Sequence, residues 1–174
     1  MPAQGRTAYR QALSRAALLV GALLSLLGAA RAEEFSGTVV RVADGDTITV
    51  QRDSHAMTVR LVGIDAPEKG QAYGQGAKQF AASLAFGQTV TVRVSGHDRY
   101  RRIVGEVILP DGRSLNHELV RAGFAWWFRK YSRDLVLAHL EEEARERHRG
   151  LWADPVPEAP WTYRSHRPSI AATL

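Results

Sequence analysis

A chain of 174 residues suffices for one compact domain with a sizeable core and leaves little room for a second. It contains no cysteine, which excludes disulfides, thiolate zinc sites, cysteine nucleophiles and cysteine-linked lipid anchors. Of 23 basic residues four (Arg6, Arg10, Arg15 and Arg31) lie in a leading segment that holds none of the 18 acidic ones, leaving 19 basic residues against 18 acidic beyond it. The formal charge of +5 is therefore mostly a property of that segment and gives no argument for nucleic-acid binding.

The leading segment, residues 1–32, has the order of a secretory signal peptide. Basic residues come first, the apolar run Ala16 to Ala30 follows, and Ala30-Arg31-Ala32 supplies small residues at the two positions that define cleavage. The run is about 15 residues, short of the ~20 that span a bilayer. The remainder is expected to be exported, to the periplasm or beyond the cell, with no stable membrane association after cleavage.

Short β-like runs rich in Val, Ile and Thr come next: Phe35 to Val42, Thr47 to Gln51 and Met57 to Ile64. Asp44-Gly45-Asp46 reads as a hairpin turn, since Asp-Gly readily supplies positive φ. Ala66-Pro67 closes the third strand, because proline cannot donate to a ladder. A helix is predicted over Ala77 to Phe86, with Ala77, Phe80, Ala81 and Leu84 as its apolar stripe and Gly87 as its stop. Strands over Thr89 to Val94 and Ile103 to Leu109 flank the charged loop Ser95 to Arg102.

Ser114 is a predicted N-cap for a helix over Leu115 to Ala122 that ends at Gly123. A last helix is predicted from Ser132, with Leu137, Leu140, Ala144 and Leu151 on one face. The run EEEARERHR, residues 141–149, forms its solvated side, with acids and bases spaced to pair. This order predicts an α+β fold, a five-stranded OB-type barrel with three helices, over 33–153. Residues 154–174 read as a Pro-rich extended tail with Trp161 and polar residues at its end.

Four acidic residues fall at turns: Asp44 and Asp46 between strands one and two, Asp65 and Glu68 after strand three. Carboxylates converging at one rim repel unless a proton or cation sits among them, and a hard ion, Ca²⁺ or Mg²⁺, suits oxygen ligands. Opposing them are Arg60 and the loop arginines Arg99, Arg101 and Arg102, whose planar forks suit a phosphodiester. Arg60 and Asp65 are five apart, so on an unbroken strand they face opposite sides; their meeting requires a bend near Gly63 or Pro67. Taken singly these segments are ordinary turns and loops. The joint pattern carries the signal.

In that joint pattern the chain resembles the staphylococcal nuclease (thermonuclease) family. The resemblance rests on Val42-Ala-Asp-Gly-Asp-Thr47, Arg60-Leu-Val-Gly-Ile-Asp-Ala-Pro-Glu68, Tyr73-Gly74, Asp98-Arg-Tyr-Arg-Arg102, Asn116-His-Glu-Leu-Val-Arg-Ala-Gly123 and Gly150-Leu-Trp-Ala-Asp-Pro155. It implies that Asp46, Asp65 and the backbone carbonyl of Ala66 bind Ca²⁺, with Asp44 an acid close by. It implies that Glu68 activates or orients water, that Arg60 and Arg102 hold the phosphate, and that Tyr100 contacts the terminal phosphate of the nucleotide; Arg99 beside it is a further candidate for substrate contact.

One departure stands out. The family has Gly where this chain has Arg101, so a left-handed turn there would strain the backbone and leave open whether Arg101 or Arg102 is the clamp. Phe128 and Tyr131 are the candidates for base stacking; Trp126 and Trp127 read as packing residues. The implied activity is hydrolysis of DNA and RNA, single strands favoured, by a monomeric endonuclease leaving 3′-phosphate ends. The rivals are an OB domain that binds nucleic acid or protein without cutting, and an exported adaptor. Non-cutting relatives lose carboxylates or arginines, and here Asp46, Asp65, Glu68, Arg60 and Arg102 are all present.

Overall fold

Strands rich in β-branched residues pair here into a closed barrel, seen in a computed structural model that describes residues 33–166. The predicted signal peptide, 1–32, and the end of the tail, 167–174, lie outside the described residues. The barrel consists of β1 (Glu34–Asp44), β2 (Thr47–Arg52), β3 (His55–Leu61), β5 (Thr89–His97) and β6 (Ile103–Ile108), in the order β1-β2-β3-β6-β5. The pairs are antiparallel except β3 with β6, which run parallel. Closure depends on β1: its first half pairs with β5 and its second with β2, with irregularities at Val39/Arg41 and Val42/Asp44 that curl it between the two. Val39, Ile48, Val50, Val59, Leu61, Val90, Val92 and Val107 fill the interior.

Helix α1 (Gly74–Ala85) lies between β3 and β5 in the chain and buries Ala77, Ala81 and Ala85. Helix α2 (Leu115–Arg121) is capped as expected by Ser114, whose hydroxyl accepts from the His117 N–H. Four expectations are corrected. The third strand stops at Leu61, and Ile64–Asp65 forms a separate short strand, β4, because the chain turns at Gly63 (φ 78°).

The helix expected from Ser132 begins instead at Leu135 (α3, Leu135–Glu146), since Asp134 takes the cap; Leu151 belongs to a separate 3₁₀ turn, Gly150–Ala153. Three helices were expected and the described residues hold four α-helices. The fourth, α4 (Pro160–His166), rises within the expected extended tail, with Pro160 at its first position, where the missing N–H costs nothing. The hairpin at Gly45-Asp46 needs no positive φ; glycine is required there because a Cβ would come within 2.7 Å of the methyl groups of both Ala66 and Ala77.

Candidate active site

The register of two barrel pairs assembles the acidic rim. Thr47 sits opposite Arg60, so Asp46 leaves its hairpin beside the arginine, and the Leu61 N–H donates to the Asp46 carbonyl at 2.8 Å. The bend at Gly63 then returns the chain: β4 pairs with β7 (Trp126–Trp127), Ile64 opposite Trp127 and Asp65 opposite Trp126. The Phe128 N–H closes the bend on the Gly63 carbonyl at 2.8 Å, and Asn116 Nδ2 holds the Val62 carbonyl at 2.8 Å. The tryptophans read as packing residues thus hold the strand that carries a site carboxylate.

Arg60 joins the two carboxylates. Its Nη1 lies 2.6 Å from Asp46 Oδ2, and its Nη2 donates to Asp65 Oδ1 at 2.8 Å. The Ala66 N–H also donates to Asp46 Oδ2, at 2.7 Å, while the Asp46 N–H donates to Asp44 Oδ1 at 3.2 Å. Both Asp46 and Asp65 are buried. Burial is the main reason the Asp46 carboxyl is raised to about 7; the charge of Arg60 works against that rise and the charge of Asp44 adds to it.

Asp46, Asp65, Ala66, Glu68, Arg60, Arg99, Tyr100 and Arg102 line one cleft of about 280 Å³. Arg101 is not among the lining residues. It holds the left-handed conformation (φ 63°) that the sequence comparison made a concern, and Arg102 behind it faces the cleft. Asp98 builds that turn: its Oδ1 accepts the N–H of Tyr100 and of Arg102, and its Oδ2 accepts Arg102 Nε at 2.7 Å. Burial alone would raise the Asp98 carboxyl, but the hydrogen bonds from Arg102 outweigh it and hold it below its ordinary value. Arg102 is thus oriented by Asp98 and makes no bond to the rim carboxylates. Tyr131 lies apart from them, in an adjoining groove of about 730 Å³ that also takes in Arg60, Arg102 and Phe128.

Sequence reasoning missed Arg164. From α4 its Nη2 donates to Asp65 Oδ2 at 2.7 Å and its Nη1 to Glu68 Oε1 at 2.6 Å. Burial disfavours its charge, but the bonds to Asp65 and Glu68 prevail and hold the guanidinium above its ordinary range. Proline at a first helical position, preceding an aromatic and basic stretch, was the available signal.

The donor set suits a hard cation. Every candidate donor is oxygen: the buried carboxylates of Asp46 and Asp65 and the carbonyl of Ala66, all lining one cleft. Among the described residues no group of three or more acidic or histidine side chains gathers closely enough to hold a metal; two carboxylates and a carbonyl leave the remaining positions to water, which Ca²⁺ accepts.

The barrel carries carboxylates and guanidinium groups in one cleft, and with the similarities that follow the protein is a hydrolase of the nuclease class. The chain belongs to the staphylococcal nuclease family: the family model described as "Staphylococcal nuclease homologue" matches residues 58–154. It is 50% identical over 134 residues to a protein of Escherichia coli named an uncharacterized endonuclease, spanning 77% of this chain and 87% of that one. It is 38% identical over 165 residues to the micrococcal nuclease of Shigella flexneri, spanning 89% of this chain and 95% of the relative.

Proposed function

We propose that this nuclease is calcium-dependent and hydrolyses phosphodiester bonds in DNA and RNA, preferring single strands, cutting internally and leaving 3′-phosphate ends. The observation that carries the reading is the cleft shared by Asp46, Asp65, Glu68, Arg60 and Arg102. Asp46, Asp65 and the Ala66 carbonyl would hold the ion, whose charge offsets that of a non-bridging phosphate oxygen. Glu68, exposed enough to meet solvent, takes or orients the proton of the attacking water. Arg60 and Arg102 hold the phosphate oxygens from two sides, and their pull strengthens as charge builds in the transition state.

Arg99 and Tyr100 extend the phosphate contacts. Tyr131 and Phe128, 4.8 Å apart between ring centroids, offer bases a face that reads no sequence. Export to the periplasm or beyond, by way of the 1–32 signal, and action as a monomer belong to the same proposal.

The test is cleavage of supercoiled plasmid and of single-stranded DNA and RNA, with Ca²⁺, with EGTA and with Mg²⁺ alone, followed by end-group analysis. Cleavage is expected to stop with EGTA, to return with Ca²⁺, and to leave ends that a polymerase cannot extend until a phosphatase has acted. Full activity in Mg²⁺ alone, or directly extendable ends, refutes the proposal.

A further inference from the structure

Helix α4 reaches both the carboxylates of the cleft and Phe128 beside it. Arg164 takes one oxygen of Asp65 at 2.7 Å, approaches the other at 3.3 Å, and holds Glu68 at 2.6 Å. One turn earlier, Trp161 lies flat on Phe128, the planes 3° apart and the ring centroids at 5.3 Å, as a stacked base would lie. A cationic fork thus occupies the carboxylates and an aromatic ring occupies one face of Phe128, both from one segment of seven residues.

We propose that α4 is an intramolecular plug, in which Arg164 competes with the divalent cation for Asp65 and ties up Glu68, while Trp161 competes with a substrate base for Phe128. This rests on the calcium reading of the cleft. Two observations make the plug displaceable. Its tether, residues 154–159, has neither helix nor strand and carries Pro155 and Pro157. Its two competing side chains are partly exposed: Trp161 and the Arg164 side chain keep 38% and 42% of their surface in solvent.

Besides these contacts, the Tyr163 hydroxyl donates to the Gly70 carbonyl and Gln71 Nε2 to the Glu158 carbonyl, so the plug is pinned to the Glu68 loop. A plugged chain binds cation only in its open fraction, so its apparent affinity falls by that fraction. A closed state favoured about tenfold weakens apparent affinity about tenfold, and raises the calcium concentration at which the cleft opens. The device keeps the nuclease latent where free calcium is low.

The test is calorimetric titration of Ca²⁺ into the full chain without nucleic acid, for the parent, Arg164→Gln and Trp161→Ala. Both variants are expected to bind Ca²⁺ more tightly, Arg164→Gln by about tenfold and Trp161→Ala by several-fold. Trp161 touches neither carboxylate, so a gain there cannot come from altered ligand charge. Equal affinities, or weaker binding by Arg164→Gln, overturn the plug and leave the calcium site standing. Absence of Ca²⁺ binding by all three proteins overturns the calcium site and the plug together.

Discussion

Arg60 Nη2 lies 2.8 Å from Asp65 Oδ1, although the two residues are five apart and would face opposite sides of an unbroken strand. Gly63 makes the meeting possible by taking φ 78° between β3 and β4. A methyl group there would also come within 2.9 Å of Leu137 Cδ1 and 3.1 Å of Ser132 Oγ. Gly63→Ala is therefore expected to destabilise the protein by about 1–3 kcal/mol and to lower cleavage in the surviving folded fraction. Urea unfolding of the two proteins checks it. An unchanged midpoint would mean that the bend does not need the left-handed conformation.

The requirement for this bend was legible in the sequence, because strand periodicity put Arg60 and Asp65 in conflict and glycine was the available hinge. The barrel was legible for the same reason: runs of Val, Ile and Thr broken by polar turns leave few alternatives. What periodicity could not reach were contacts between distant segments. Trp126 and Trp127 look like generic packing residues until β7 pairs with β4. Arg164 lies 96 residues from Glu68 in the chain, in a stretch too short for a helical pattern to emerge.

Glu68 offers the direct test of the chemistry. Glu68→Gln keeps the shape of the side chain and removes its capacity to accept a proton. Turnover is expected to fall by at least about tenfold, with KM changed far less, as for a lost general base. Steady-state kinetics on single-stranded DNA measure both. Turnover near the parent value would remove Glu68 from the mechanism.

Glu141 opens the run that the sequence marked as a solvated face, yet it is buried, at 1% exposure. Its Oε1 accepts the Trp127 N–H at 3.2 Å and its Oε2 accepts Arg129 Nη2 at 2.7 Å. The carboxylate thereby ties α3 to β7, and through β7 to the strand carrying Asp65. Arg145 departs too, its guanidinium lying 3.7 Å from the Trp152 ring centroid, whereas Glu143 pairs with Arg147 and Arg149 as read. Glu141→Ala leaves the Trp127 N–H and its arginine without their acceptor and is expected to cost about 3 kcal/mol. Glu141→Gln, which keeps an acceptor for the N–H, should recover part of that loss in the same chemical unfolding series. Equal stability of Ala and Gln variants would mean that the hydrogen bond contributes nothing.

Asp134 provides a pH test that lies away from the cleft. Its Oδ1 caps α3 by accepting the Val136 N–H at 2.8 Å, and its Oδ2 faces His117 Nε2 at 3.1 Å. Burial alone would raise its carboxyl, but the hydrogen bonds with His117 and Val136 outweigh it and hold it below the ordinary 3.8. A carboxyl with a lower folded than unfolded value binds its proton more readily once unfolded. Its contribution is complete above the ordinary value and disappears as pH falls through the folded one.

Asp134→Asn keeps a cap acceptor but has no proton to lose. The parent should therefore exceed Asp134→Asn in stability at pH 6, by about 1 kcal/mol or less for so exposed a pair. That advantage should shrink toward zero as pH falls well below 3.8. Thermal unfolding of both proteins across this range isolates the effect, because the carboxylates of the cleft are common to both and cancel in the difference. An advantage that stays constant into acid would show that Asp134 acts through the shape of its cap and not through its charge.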